Sequence, residues 1–229
     1  GHPPGPNTVR TAKKAKAPKS KQILLTEENT LLFKGPINNS SVSKFGNRLL
    51  RMSSAARSDS TFYIVLDSPG GSIYAGLSLI SLIESIPQRV ECIAIFAASM
   101  AHAVLQACPG KRYLSTNNGV VMIHRAKGGF YGQFNNGEVE SQLRLWRNIV
   151  STMEIRNAKR MSYSMKEYRK RSKDEWWCSN KNCLKERFVD EIVKLKCSKY
   201  LIREKIRSSS QYYYSACPLI PGYFRYESD

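Results

Sequence analysis

Two apolar runs end in turns that few architectures accommodate. Thr61–Asp67 (TFYIVLD) runs into Ser68-Pro69-Gly70-Gly71, and Val90–Phe96 (VECIAIF) runs into Ala97-Ala98-Ser99-Met100. VECIAIF is apolar almost throughout, where a half-buried strand would alternate. Such a strand has both faces covered, as inner strands of parallel sheets do. Helical periodicity follows each run: Ile73–Ile86, stopped by Pro87, and the short apolar stretch Ser99–Cys108. The same alternation extends both ways. Leu31–Lys34 reads as a strand. Ser40–Ala56 reads as a helix with Val42, Phe45, Leu49 and Met52 on one face. Arg112–Leu114 and Val120–His124 read as strands, Ser179–Arg187 as a helix and Phe188–Val193 as a last strand. From about residue 24 to 193 the chain is therefore expected to be α/β, built of repeated right-handed strand–helix units.

Between these elements, Gly128, Gly129, Gly132 and Gly137 mark residues 125–137 as a loop or irregular hairpin. A helix is expected over about 138–160, with Val139, Leu143, Trp146, Val150 and Met153 on one strip and Leu145 and Ile149 beside it. Two apolar strips on so long a helix suggest that it projects and wedges against a neighbouring subunit. At 229 residues the chain suits a single core. It divides into a basic arm (1–22), a main domain (23–193) and a 36-residue extension (194–229) holding Tyr212-Tyr213-Tyr214, Pro218 and Pro221, expected to lie on the surface.

Lys and Arg number 36 against 18 Asp and Glu, a net charge of +18. Residues 1–22 carry six of those cations and no acid, and residues 156–187 form a second basic block. Such charge could serve nucleic acid, but no zinc-finger spacing, RNP-type aromatic motif or helix-turn-helix signature accompanies it. A solvated surface, or one for an acidic partner, is the better reading. No run of about 18 apolar residues offers a membrane span. GHPPGPNTVR lacks the apolar core of a signal peptide, and its opening Gly fits a mature or trimmed chain.

Three segments could carry chemistry. Ser99 stands between an apolar strand and an apolar helix, and alone it would be taken for an N-cap. Small Ala neighbours, the free amides and positive end of a helix N-terminus, and the carboxyl end of a sheet strand make it a candidate nucleophile instead. His124 ends a strand before the Gly-rich loop and needs such a partner to be more than a polar terminus. Gly70-Gly71 lacks the further glycines or Lys-Ser/Thr of a phosphate loop. It is suited to bringing a backbone amide close to a ligand.

Ser-Pro-Gly-Gly-Ser, Ala-Ser-Met about 28 residues on, and Met-Ile-His, in this order, resemble the Clp-type serine peptidases (the ClpP proteolytic-subunit family). The likeness continues through the loop 125–133 and the long helix to Phe188-Val189-Asp190-Glu191-Ile192-Val193. It implies a ClpP/crotonase-like spiral with a projecting long helix, nucleophile Ser99, general base His124, and oxyanion donors from the amides of Gly71 and Met100. It further implies stacked rings around an inner chamber and polypeptide substrates, with no cofactor or metal needed, and leaves open whether an ATP-driven unfoldase docks as a partner. A bound peptide is expected to add as a strand between Gly70, Ser72 and the segment Arg125, Ala126, Lys127, Gly128. The sequence departs from the family in having Ala101-His102 after Ser-Met, where Gly is usual. The third triad member, usually Asp, falls in Lys173-Asp174-Glu175-Trp176-Trp177. Alignment on Trp177-Cys178-Ser179 puts Glu175 at its position, with Asp174 one residue away.

Cys92 and Cys108 lie in apolar segments and read as buried, inert thiols. Cys178 and Cys183 fall at the N′ and N4 positions of a helix capped by Ser179, which touch in a hydrophobic staple, so a disulfide is expected there. Cys197 and Cys217 could tie down the tail. The family resemblance implies the cytoplasm; disulfides would imply a periplasmic or secreted setting. Two other functions compete with the peptidase reading. One is a crotonase-type acyl-CoA enzyme, which needs no Ser–His pair. The other is a catalytically silent basic ring or nucleic-acid scaffold.

Overall fold

A computed structural model describes residue 1 and residues 21–116, 118–128, 133 and 135–228, so most of the basic arm lies outside the described residues. The elements run β1 (Lys21–Leu25), β2 (Thr30–Lys34), α1 (Asn39–Ala55), β3 (Thr61–Ser68), α2 (Ile73–Ser85), β4 (Arg89–Ala98), α3 (Met100–Gln106), β5 (Arg112–Ser115) and β6 (Val120–Ile123). Then follow α4 (Asn136–Arg160), α5 (Met165–Arg171), β7 (Trp176–Ser179), α6 (Lys181–Lys185), β8 (Glu191–Cys197), α7 (Lys199–Arg203), β9 (Lys205–Arg207), β10 (Tyr212–Ser215) and β11 (Phe224–Arg225). The fold is mixed α/β with a mainly parallel sheet in the order β1-β8-β5-β4-β3-β2. No helix among the described residues is long and apolar enough to cross a membrane.

The central strand β4 forks. Its first half, Cys92–Ala94, pairs with β5, and its last residues, Phe96–Ala98, pair with β6. The continuous apolarity of VECIAIF has a direct cause in the two faces of the sheet. Val90, Cys92 and Ala94 join a core with α1, α2 and α3, including Leu49, Leu79 and Val104. Ile93 points to the other side, into a second core with Leu32, Val65, Tyr113 and Val193. The C-terminal extension covers that second face. Leu201, Ile206, Tyr214, Ala216 and Cys217 are all buried there, and β9, β10 and β11 form a small antiparallel sheet of their own. The extension is thus a layer of the fold, a role that the Tyr and Pro content did not announce.

Cys92 and Cys108 are joined in a disulfide, which corrects the expectation of inert thiols: β4 and the turn after α3 bring their Cα atoms to 6.0 Å. Cys178 is bonded to Cys183, linking β7 to α6, and Cys197 to Cys217, linking β8 to the extension. The basic block 156–187 is solvated for the most part, with Arg156, Lys159, Lys166, Arg169, Lys170, Arg171 and Lys173 all exposed, while two of its arginines brace neighbouring turns. Arg160 donates to the carbonyls of Cys108 and Gly110 at 2.6 and 2.5 Å, and Arg187 to that of Met161 at 2.7 Å.

One polar network fixes α3 against the sheet. Arg112, 4% exposed, donates through Nη2 to Asp190 Oδ1 at 2.8 Å and through Nη1 to Gln106 Oε1 at 2.6 Å. Its backbone amide donates to Asp190 Oδ2 at 2.9 Å, and Gln106 Nε2 donates to the Phe188 carbonyl at 2.9 Å. Burial pushes the Asp190 carboxyl up, but the Arg112 bonds outweigh it and hold the group below the ordinary carboxylate range. A depressed carboxylate stabilises the fold above its unfolded pKa and loses that contribution as pH falls through the folded value. Asp190→Ala should therefore cost about 3 kcal/mol at neutral pH by stranding the buried guanidinium. The gap to wild type should close as denaturation is followed into acid, below about pH 4; an unchanged gap at acid pH would contradict the assignment.

Candidate active site

Ser99 occupies the single residue between β4 and α3. Its backbone is at φ 57°, ψ −120°, a conformation rarely adopted by a residue with a side chain. It is pinned there by its amide, which donates to the Met122 carbonyl at 3.0 Å. Its hydroxyl does not cap α3. It meets His124 instead, with Oγ 2.7 Å from Nε2, as a donor when the imidazole carries its proton on Nδ1. The fork of β4 explains the meeting. β6 runs parallel to the end of β4 with Ala98 opposite Met122, so Ser99, one residue past that register, and His124, two past it, are brought together.

Gly70 and Gly71 leave β3 for α2, and both require glycine. Gly70 is at φ +91°, and a Cβ there would stand 2.7 Å from the Ala98 carbonyl oxygen and 2.8 Å from the Met100 amide nitrogen. Gly71 is at φ +153°, and a Cβ would collide with the Ile37 carbonyl. The amides of Gly71 and Met100 donate to no protein acceptor among the described residues; Met100 follows Ser99 directly, and Gly71 follows Gly70, which packs against Ser99 and Met100. Ser72, expected to contact a substrate, is already engaged. Its Oγ accepts from the Ala75 amide at 3.2 Å, its amide donates to Ile37 and its carbonyl accepts from Gly76. It starts α2 as its N-cap, and its exposed hydroxyl keeps its own proton to donate.

After His124 the chain continues through the exposed Arg125, half-buried Ala126 and exposed Lys127 to Gly128, which lies on the Trp146 ring of α4. Trp146 is thus partly covered by its own chain. Residues 129–132, further along the expected substrate loop, are outside the described residues. The two acids are not brought to the histidine. Asp174 is exposed, and Glu175 accepts from the Trp177 indole through Oε2 at 2.9 Å. The cause is local. Glu175 directly precedes β7, two residues from Trp177, and its side chain is long enough to reach along the chain to that indole. β7 pairs antiparallel with β6, Ile123 opposite Trp176, so one further step of that register sets Glu175 across from His124.

Sequence reasoning did not find the wall behind the pair. His102, Glu154, Asn157, Tyr168 and Ser172 line a small cavity reaching Ser99 and His124. Their only sequence signal was a polar residue, Asn157, in a helical turn that packs inward. His102 is 1% exposed, and its pKa is lowered to about 3 by burial and by Arg112, so it is neutral. No group of three or more His, Cys, Asp and Glu side chains close enough to hold a metal ion occurs among the described residues.

The close fit at Gly70 gives a test. Gly70→Ala should displace the Ala98–Met100 backbone and lower kcat by about 100-fold or more, with circular dichroism unchanged. An alanine variant with wild-type turnover would show that the elbow tolerates movement.

A family model described as Clp protease matches residues 13–196. Over 175 residues the chain is 25% identical to a protein named ATP-dependent Clp protease proteolytic subunit from Streptococcus mutans, an alignment covering 74% of this chain and 86% of that one. The family match includes β3 with its two glycines and the forked β4 and β6 that set Ser99 against His124, and on that ground the chain belongs to the Clp protease family.

Proposed function

We propose that this chain, a Clp-type serine peptidase by family, hydrolyses peptide bonds with Ser99 as nucleophile and His124 as general base. The observation that carries this reading is the 2.7 Å approach of Oγ to Nε2 on a serine whose backbone is held at φ 57°. His124 takes the hydroxyl proton as Ser99 attacks the carbonyl, then gives it to the leaving amine; water resolves the acyl-enzyme by the same route. The amides of Gly71 and Met100 receive the developing oxyanion. A crotonase-type acyl-CoA enzyme would have no use for the serine–histidine bond. A fluorophosphonate should add to Ser99. Ser99→Ala should abolish both labelling and peptidase activity, and His124→Ala should abolish activity; labelling that survives Ser99→Ala would overturn the reading.

The acid of the triad is Glu175 in this proposal, exchanging the Trp177 indole for His124 Nδ1 across the β6–β7 ribbon. A carboxylate there fixes the tautomer and stabilises the imidazolium. Glu175→Ala should then lower kcat by about 100-fold or more while Asp174→Ala is nearly silent. The reverse result would move the role to Asp174. Wild-type turnover in both variants would leave a Ser–His dyad.

The active form is a ring-shaped homo-oligomer, with peptide substrates held as an added strand beside Gly71 and the segment after His124, and an ATP-driven unfoldase feeding the chamber. Helix α4 supports this: of its 25 residues only Asn157 and Ala158 are buried, while Val139 and Leu145 are 38% and 49% exposed. Leu145 is half exposed in the single chain, so Leu145→Glu should leave the fold intact and split the assembly in native mass spectrometry. A variant of unchanged mass would remove α4 from the interface. Three disulfides favour folding in an oxidising compartment over the cytoplasm.

A further inference from the structure

The cavity beside the Ser99–His124 pair has a volume of about 30 Å³. That is room for one or two waters, or for a side chain of two or three heavy atoms. Leu, Met or Phe would enter only by displacing the walls. Two groups of this lining have no hydrogen-bond partner among the described residues. Asn157 Oδ1 belongs to a residue 3% exposed, and His102 Nε2 to one 1% exposed. Native proteins rarely leave such atoms unpaired, and a ligand that supplies the missing bond is one reason to do so. The Asn157 amide is also held in place: its Nδ2 donates to the Tyr168 hydroxyl at 3.2 Å. Glu154, on the same wall and 3.8 Å from Arg169, adds a negative charge.

A peptide carbonyl poised for attack by Ser99 Oγ carries its own residue's side chain within a few ångströms of the nucleophile, and this recess is what that side chain meets. We propose that the cavity receives the side chain of the residue whose carbonyl is attacked, and that Asn157 selects a short hydroxyl side chain, serine or threonine, at that position. The substrate hydroxyl donates to Asn157 Oδ1. Alanine fits but leaves that oxygen unpaired. Larger apolar side chains are excluded by volume, and acidic ones by Glu154. A site that hydrogen-bonds a substrate hydroxyl discriminates against its absence far better than an apolar pocket discriminates by a methylene. The proposal rests on Ser99 being the nucleophile.

The test uses the full, assembled chain and fluorogenic peptides that differ only before the scissile bond: Ser, Thr, Ala, Leu, Phe and Asp. Fluorophosphonate labelling of Ser99 runs in parallel. Ser and Thr peptides should exceed Ala by about tenfold or more in kcat/KM, and Leu, Phe and Asp by more still. Asn157→Leu should erase the preference for Ser over Ala, and Glu154→Gln should relieve the rejection of Asp. If Asn157→Leu does not fold, the wild-type panel still decides: Leu or Phe peptides cleaved as well as Ser overturn the proposal. Labelled Ser99 with a flat or Leu-led panel overturns the pocket assignment alone. Absence of labelling at Ser99 overturns the catalytic reading and this proposal with it.

Discussion

The structure depends on the way β4 divides its hydrogen bonds between two neighbours. Its first half is committed to β5 and its last residues to β6. The change of partner falls at Ile95, inside β4, and the chain turns sharply at Ser99 only after the residues paired with β6. The amide of that residue, bonded to Met122, is the last rung of the β4–β6 ladder. The position of Ser99 is therefore a property of sheet pairing. It owes nothing to the serine side chain, which is left free to meet His124.

Everything around the fork holds it still. Two cores clamp β4 from opposite faces, which is why its sequence is apolar along nearly its whole length. The Arg112–Asp190–Gln106 network ties the far end of α3 to β5 and to the segment before β8. Gly70 lets the β3 turn approach within a Cβ radius of the elbow. Strain at Ser99 is tolerated because its surroundings over-determine it.

A contrast runs between this rigid centre and the elements that leave it. Helix α4 leaves the core with Val139, Leu145 and Ile155 exposed and its other apolar side chains, Ala158 apart, only half-buried. Its last turns do two things at once. Ala158 anchors the helix, and Met153, Glu154 and Asn157 form part of the wall beside Ser99. In the proposed assembly the same helix would meet a neighbouring subunit at its other end, linking subunit contact to the site by simple connection.

Much of the site was legible in the sequence because it lies in local grammar. Strand-ending motifs determine that Gly70-Gly71, Ser99 and His124 all sit at the carboxyl ends of strands, and an α/β alternation with parallel strands gathers such ends together. The spacing of Cys178 and Cys183 around a helix start is local in the same sense. What tertiary structure alone decided were the long-range matters. Cys92 and Cys108 read as thiols until β4 and the turn after α3 were brought side by side. The tail read as an appendage until Tyr214 and Cys217 were placed on the second face of the sheet. Glu175 read as a partner of His124, yet in the fold its carboxylate lies against Trp177, because a side chain's choice between two nearby donors depends on distances that periodicity does not encode. The polar wall of His102, Asn157 and Tyr168 comes from three separate elements. Its members meet only because the chain is compact, and no single segment of sequence contains the pattern.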